Sequence, residues 1–311
     1  MVRFHIVTIK TLKDISTARR VIPILAFTLG LPIFIFFILS LPPNVGATLS
    51  QRSLETQFRV VKEFFLLFSF IWISGISLVL ITGTTTAGFV AKESSERTLS
   101  ILISKPIRRW EILLGKFIGF LIVGIIIQAV ALISAAHLMC FLFRVDAVVL
   151  EMLLSLAFFT IPYAVFIMML FGTIGMALST IFDSPFKASM GPVLLIILVY
   201  FGFFIIRSVA SGMYEDYQFY HLDLGYHLGN VFIMFLTSSG ITLPPSTQQI
   251  FGVFTGVYQL KGVVDTDQGI ASPSLPLTPY YTPIMSLALW LGISIGLLFA
   301  GIFFLKKKEV H

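Results

Sequence analysis

The sequence predicts an all-α integral membrane protein with six helices crossing the bilayer, and three observations carry that expectation. Only 12% of the residues are charged while 57% are hydrophobic. That is about half the charged share of a soluble domain and leaves too little polar surface to face water. Six stretches hold no Asp, Glu, Lys or Arg, and each is long enough to cross a ~30 Å hydrocarbon core as a helix. None alternates with a period of two, which sets a barrel aside.

Taken in order, the spans are 21–41, 64–91, 117–143, 152–182, 188–206 and 284–305. Backbone groups in lipid must be satisfied within their own segment, so each is a helix. The first is too long for a signal-peptide core and is read as a retained anchor. Before it, residues 1–20 suit a helix lying on the membrane surface. Phe4, Val7, Ile15, Ala18 and Ile22 share one face, with Lys10, Lys13 and Arg20 opposite. Ile6 and Ile9 depart from that pattern.

The basic residues set the direction. Fifteen of the 21 Lys and Arg fall at the N-terminus, between the second and third spans, between the fourth and fifth, or after the sixth. The positive-inside rule therefore places both termini in the cytosol of a multi-pass cell-membrane protein. The basic clusters adjoin apolar spans, so orientation and anionic lipid headgroups account for the net charge of +6. No polar domain carries a basic and aromatic stripe, so nucleic acid is not an expected partner. The lone Cys140 rules out an internal disulfide or a cysteine-based zinc site.

The whole chain, 1–311, reads as one transmembrane domain. Residues 42–63 are expected as an external loop and 183–187 as a tight cytosolic connection. Residues 207–283 are expected as an external cap of short helices. They include an apolar run, 231–236, too short to span, and a helix over 246–260 after Pro244-Pro245. Pro273, Pro276, Pro279 and Pro283 keep the last part extended.

The cytosolic segment 92–116 is the most informative. It holds six of the fifteen inside charges. Glu93-Ser94-Ser95-Glu96 has the cap-type and acidic composition of a helix N-terminus. Leu99, Leu102 and Ile103 then share one helical face, and Lys105-Pro106 ends the helix. A helix this short is not stable alone, so its apolar face should dock in a groove. The plainer alternative is a basic loop that only sets topology.

This stretch resembles the signature of ABC-2-type transporter permeases. In that family Glu and three variable residues precede Gly-Thr-Leu, a leucine pair, Pro, Arg, and a Gly-Lys opening the third span. Here Glu93, Arg97-Thr98-Leu99, Pro106, Arg109 and Gly115-Lys116 stand in those places, with Arg97 where the family has Gly. The six-span layout and the long segment before the last span are also similar, as is Pro245-Ser246. The resemblance implies a coupling helix seated in a cleft of a separate ATPase subunit, two permease chains (the second identical or homologous) and two ATPases. On that basis Leu99, Leu102 and Ile103 form the docking face. Glu93, Glu96, Arg97 and Thr98 meet the partner, while Arg108, Arg109 and Lys116 hold the connector against headgroups. ATP and Mg are expected on the partner, because this chain has no Gly-x-x-x-x-Gly-Lys-Ser/Thr loop; Phe117 follows Gly115-Lys116.

Other candidates are weaker. Thr82, Thr84, Thr85 and Thr86 either line a pathway or serve small-residue helix packing, the plainer reading. Gln128 and His137 suit hydrogen bonds between helices. His221, Asp223 and His227 near Glu215 and Asp216 match no standard metal motif, and no metal is expected. Pro162 and Gly191-Pro192 are expected to kink their helices. With no ionisable residue inside a span, a proton- or sodium-driven carrier is disfavoured, and a lipid-like, amphipathic or drug-like substrate fits better. Neither His-Glu-x-x-His nor Gly-x-Ser-x-Gly occurs, so an intramembrane enzyme is not expected. Export is the main reading. Maturation of an extracytoplasmic metalloprotein is the alternative.

Overall fold

A computed structural model describes residues 2–98, 108–259 and 275–308. Its elements in chain order are α1 (Val2–Ile15), α2 (Ala18–Ser40), α3 (Leu54–Ser95), α4 (Arg109–Phe143), α5 (Ala147–Ile181), α6 (Pro185–Val209), α7 (Leu224–Ser238), α8 (Pro245–Thr255) and α9 (Pro283–Lys307). All but α1, α7 and α8 are long and apolar enough to cross a membrane. Among the described residues the only β pairing is one isolated bridge between Tyr258 and Leu277.

The six spans are those the sequence predicts, but several run further. At 35 residues, α4 and α5 are roughly 50 Å long against a ~30 Å core, so their ends project beyond it. The external loop expected over 42–63 is shorter, because α3 begins at Leu54. Ser53 caps it, its hydroxyl accepting from the Thr56 N–H at 3.4 Å. Gln57, Val61 and Phe65 are buried along this first stretch, so its Glu and Lys residues sit on an amphipathic helix rather than in a loop.

The centre is built on close helix approach. Gly175 of α5 lies against the Thr86 hydroxyl and the Gly83 carbonyl of α3, and Gly83 lies against Pro192 of α6. A β-carbon at either glycine would overlap these atoms, so bulkier residues would push the helices apart. α1 runs along α4 with Val7 seated at Gly115 and Thr11 at Gly119. Its buried face is Val7, Thr8, Thr11 and Ile15, whereas Lys10 and Lys13 are exposed. The surface helix expected over 1–20 therefore stops at Ile15. Ala18 and Ile22 belong to α2 and are exposed, so the apolar face does not continue through them.

Pro162 and Pro192 lie inside α5 and α6. The sharpest backbone departure falls elsewhere, at Gly75 (φ −95°, ψ −112°), within a π-helical stretch Ser69–Ile76 of α3. A second π-helical stretch, Leu198–Gly202, interrupts α6. The two meet, since a side chain on Gly75 would collide with the Tyr200 hydroxyl.

At the end away from the chain termini, α7 and α8 are fastened to α3 and α5 by rings. Phe70, Tyr163, Phe232 and Phe251 form one cluster, with Phe70 4.8 Å from Phe251 and 5.0 Å from Phe232. The apolar run 231–236 lies in α7. The helix expected over 246–260 is α8 and stops at Thr255, because Gly256 turns left-handed (φ +72°).

Candidate functional site

Of the segment 92–116, the structure describes 92–98 and 108–116; Leu99, Leu102, Ile103 and Pro106 lie outside the described residues. Glu93-Ser94-Ser95 do not open a helix, as the sequence suggested. They form the last turn of α3. The turn closes with the Arg97 N–H on the Ser94 carbonyl (3.1 Å) and the Thr98 N–H on the Glu93 carbonyl (2.9 Å), a Schellman arrangement. Ser and Glu satisfy backbone groups at either helix end, and here the left-handed residue, Arg97 (φ +55°), decides which. This is the position where the family signature has glycine, which adopts that conformation without the ~1 kcal/mol cost of a side chain. On the far side of the connector, the Glu111 carboxylate accepts from the Arg108 N–H at 3.0 Å and closes the first turn of α4.

The two ends are tied to each other and to the rest of the bundle. Lys116 Nζ lies 2.6 Å from Glu93 Oε1 and donates to the Phe89 carbonyl at 2.5 Å, joining α4 to α3. Arg109 donates through Nη1 to the Leu305 and Lys306 carbonyls, both at 2.7 Å, so the start of α4 caps the end of α9. Lys308 lies 2.8 Å from Asp183 Oδ1, which also accepts from the Ser94 hydroxyl at 2.8 Å. The hydrogen bond from Lys308, then that from Ser94, holds the Asp183 carboxyl below its ordinary pKa. The result is a closed ring of polar contacts through the ends of α3, α4 and α9 and the α5–α6 connection.

This ring gives two of the connector residues partners within the chain. Lys116 is nearly buried, with its side chain 13% exposed, and Arg109 is half-buried on α9. Glu93 is turned inward onto Lys116. Glu96 is exposed and lies 3.8 Å from Lys92, while Arg97, Thr98 and Arg108 are exposed. The residues on either side of the connector are thus tied to the ends of α3, α4 and α9 and to the α5–α6 connection.

The threonines separate. Thr82 and Thr85 line a cavity of about 30 Å³ between α2, α3, α4 and α5, room for a water or two. Thr86 packs on Gly175, and Thr84 is exposed with its hydroxyl on the Leu80 carbonyl (2.6 Å). Gln128 bonds the Ser74 hydroxyl at 2.8 Å, and His137 bonds its own helix at Ile133.

The polar residues at the far end have structural partners. Asp223 pairs with Arg207, accepts from the Tyr214 hydroxyl at 2.8 Å and caps α7 through the Tyr226 N–H at 3.1 Å. Arg207 also donates to the Phe254 carbonyl. His221 bonds Tyr281 (2.6 Å) and His227 bonds Ser286 (2.9 Å). Sequence reasoning missed the Arg207–Asp223 pair, whose only signal is two opposite charges sixteen residues apart.

Against known families, the model described as "ABC-2 family transporter protein" matches residues 13–309. The chain belongs to the ABC-2 transporter family. This ABC-2 protein is thus a multi-pass membrane permease subunit of a family that implies association with a separate ABC ATPase subunit. No curated protein matches the ABC-2 chain.

Proposed function

We propose that this permease exports a lipid-like, amphipathic or drug-like molecule, driven by ATP and Mg bound on two copies of a separate ATPase. The polar ring around the connector carries this reading. It makes residues 96–108 a handle whose displacement must move α3, α4 and α9 as a unit. The basic bias places that end in the cytosol, where an ATPase works. Leu99, Leu102 and Ile103 provide the docking face; Glu96, Arg97 and Thr98 flank it with polar groups. A second permease chain, identical or homologous, completes the pathway. The Thr82–Thr85 cavity is too small to carry a substrate, which supports a route between chains rather than through one. ATP-driven closure of the ATPases then biases the bundle between two arrangements.

Co-purification with the ATPase tests this. Leu99→Glu is expected to cut association and substrate-stimulated ATP hydrolysis at least tenfold while the chain still folds. Unchanged association and unchanged coupling would remove the docking role. One observation favours a second reading. Val209, Met213, Tyr217 and Leu222 are 82%, 53%, 67% and 70% exposed at the far end, apolar groups suited to contact with an extracytoplasmic protein under maturation. ATP hydrolysis stimulated by such a protein, and by no lipid or drug, would favour it.

A further inference from the structure

At the far end, Tyr214, Tyr220, Tyr258 and Tyr280 converge on one cavity of about 530 Å³, together with Glu215 and the Arg207 side chain. That volume is within the range of small-molecule sites. The residues come from three separate stretches of chain: the turn after α6, the strand-like residues after α8, and the approach to α9. The rings are fixed before any ligand arrives. Tyr220 and Tyr280 stack with centroids 4.2 Å apart and planes 6° from parallel, and Tyr214 lies 6.4 Å from each. The Tyr280 hydroxyl donates to Glu215 Oε1 at 3.1 Å, which holds the carboxylate at the aromatic wall.

Charge then decides what the cavity accepts. Arg207 is matched by Asp223, which also accepts from Tyr214. Arg207 and Glu215 are the charged residues among the described lining; with the buried Asp223 behind the wall matching Arg207, Glu215 is the charge left to face a ligand, beside a wall rich in π faces. Such a surface favours a cation that gives up its water easily. A small metal ion or a primary ammonium holds its hydration more tightly than a methylated ammonium does.

We propose that this cavity binds an alkylated ammonium group. The same chemistry comes from two sources, a soluble choline-like ion or the choline headgroup of a phospholipid at the membrane surface. The site does not depend on the connector or on the ATPase, so it stands or falls separately from the coupling role.

The test is calorimetric titration of the purified full-length chain with choline chloride, tetramethylammonium chloride and ammonium chloride, with melting curves to verify folding. Choline and tetramethylammonium are expected to bind at least tenfold more tightly than ammonium. Tyr280→Leu and Glu215→Gln are each expected to weaken choline at least fivefold, while Tyr220→Phe, which keeps the ring, leaves it within twofold. If the ligand is a headgroup, nanodiscs of phosphatidylcholine block choline binding and those of phosphatidylglycerol do not. If it is a soluble ion, both discs leave binding unchanged. An equal response to all three cations would overturn the proposal. So would choline binding that persists in Glu215→Gln, an exposed position where folding is not at stake.

Discussion

Replacing Glu93 by glutamine probes the link between the two ends of the connector. Its carboxylate is 2.6 Å from Lys116 Nζ, and the two side chains are 22% and 13% exposed. A fully exposed ion pair contributes ~0–1 kcal/mol. Removing one partner from a fully buried pair costs about 3–5 kcal/mol. This pair lies between those limits, and Lys116 keeps the Phe89 carbonyl as a second acceptor, so a loss of about 2 kcal/mol is expected for Glu93→Gln. Lys116→Met should cost a similar amount. The double variant leaves no uncompensated charge and should recover about 1–2 kcal/mol relative to the sum of the singles. Equilibrium unfolding in mixed detergent micelles measures all three. Substrate-stimulated ATP hydrolysis by the assembled complex should fall in the single variants and follow the same order. Additivity of the two substitutions within ~0.5 kcal/mol would mean that the pair does not tie α3 to α4.

Three further outcomes are expected. Arg97→Gly relieves a left-handed side-chain conformation, so it should raise stability by about 1 kcal/mol in the same unfolding assay; if Arg97 also meets the ATPase, coupled hydrolysis falls while stability rises. Arg207→Met leaves the buried Asp223 carboxylate without its cation and should cost about 3–5 kcal/mol, most of which Arg207→Met/Asp223→Asn restores, read as melting temperature. Burial lowers His227 from 6.5 to about 4. The unfolded chain therefore takes up a proton before the folded one does, and stability should fall by about 3 kcal/mol as pH drops from 6.5 to 4 while staying flat above. His227→Gln should lose that slope in pH-dependent melting curves.

The spans were legible because charge-free length is written directly in the residues; α9 follows that signal closely, while α4 and α5 begin several residues before it, through Glu111, Lys116 and Glu151. The start of α3 was not, since Glu55, Arg59 and Lys62 end a charge-free window although the helix continues with those groups on its outer side. The Glu93–Glu96 turn was misplaced because its composition suits both ends of a helix, and only the backbone of Arg97 separates them. Within the connector region, the sequence marked Lys116 and Arg109 as important but not what they touch. Their partners are the Phe89, Leu305 and Lys306 carbonyls, which carry no residue-type signal. The meeting of Tyr220 with Tyr280, sixty residues away, is likewise a product of how α7 and α9 pack.

The facing π turns at Ser69–Ile76 and Leu198–Gly202 divide the molecule in a way no single helix does. Each inserts a residue and turns everything beyond it by about 100° relative to a regular helix. Because Gly75 and Tyr200 touch, both irregularities lie at one depth, forming a seam across the bundle. Below the seam, the polar ring binds helix ends into one block; above it, the aromatic cluster binds α7 and α8 into another. A tilt of the lower block is therefore expected to be taken up first in α3 and α6, while α4, bonded to the seam through Gln128, and α5 run on as regular helices and carry the tilt to the upper block.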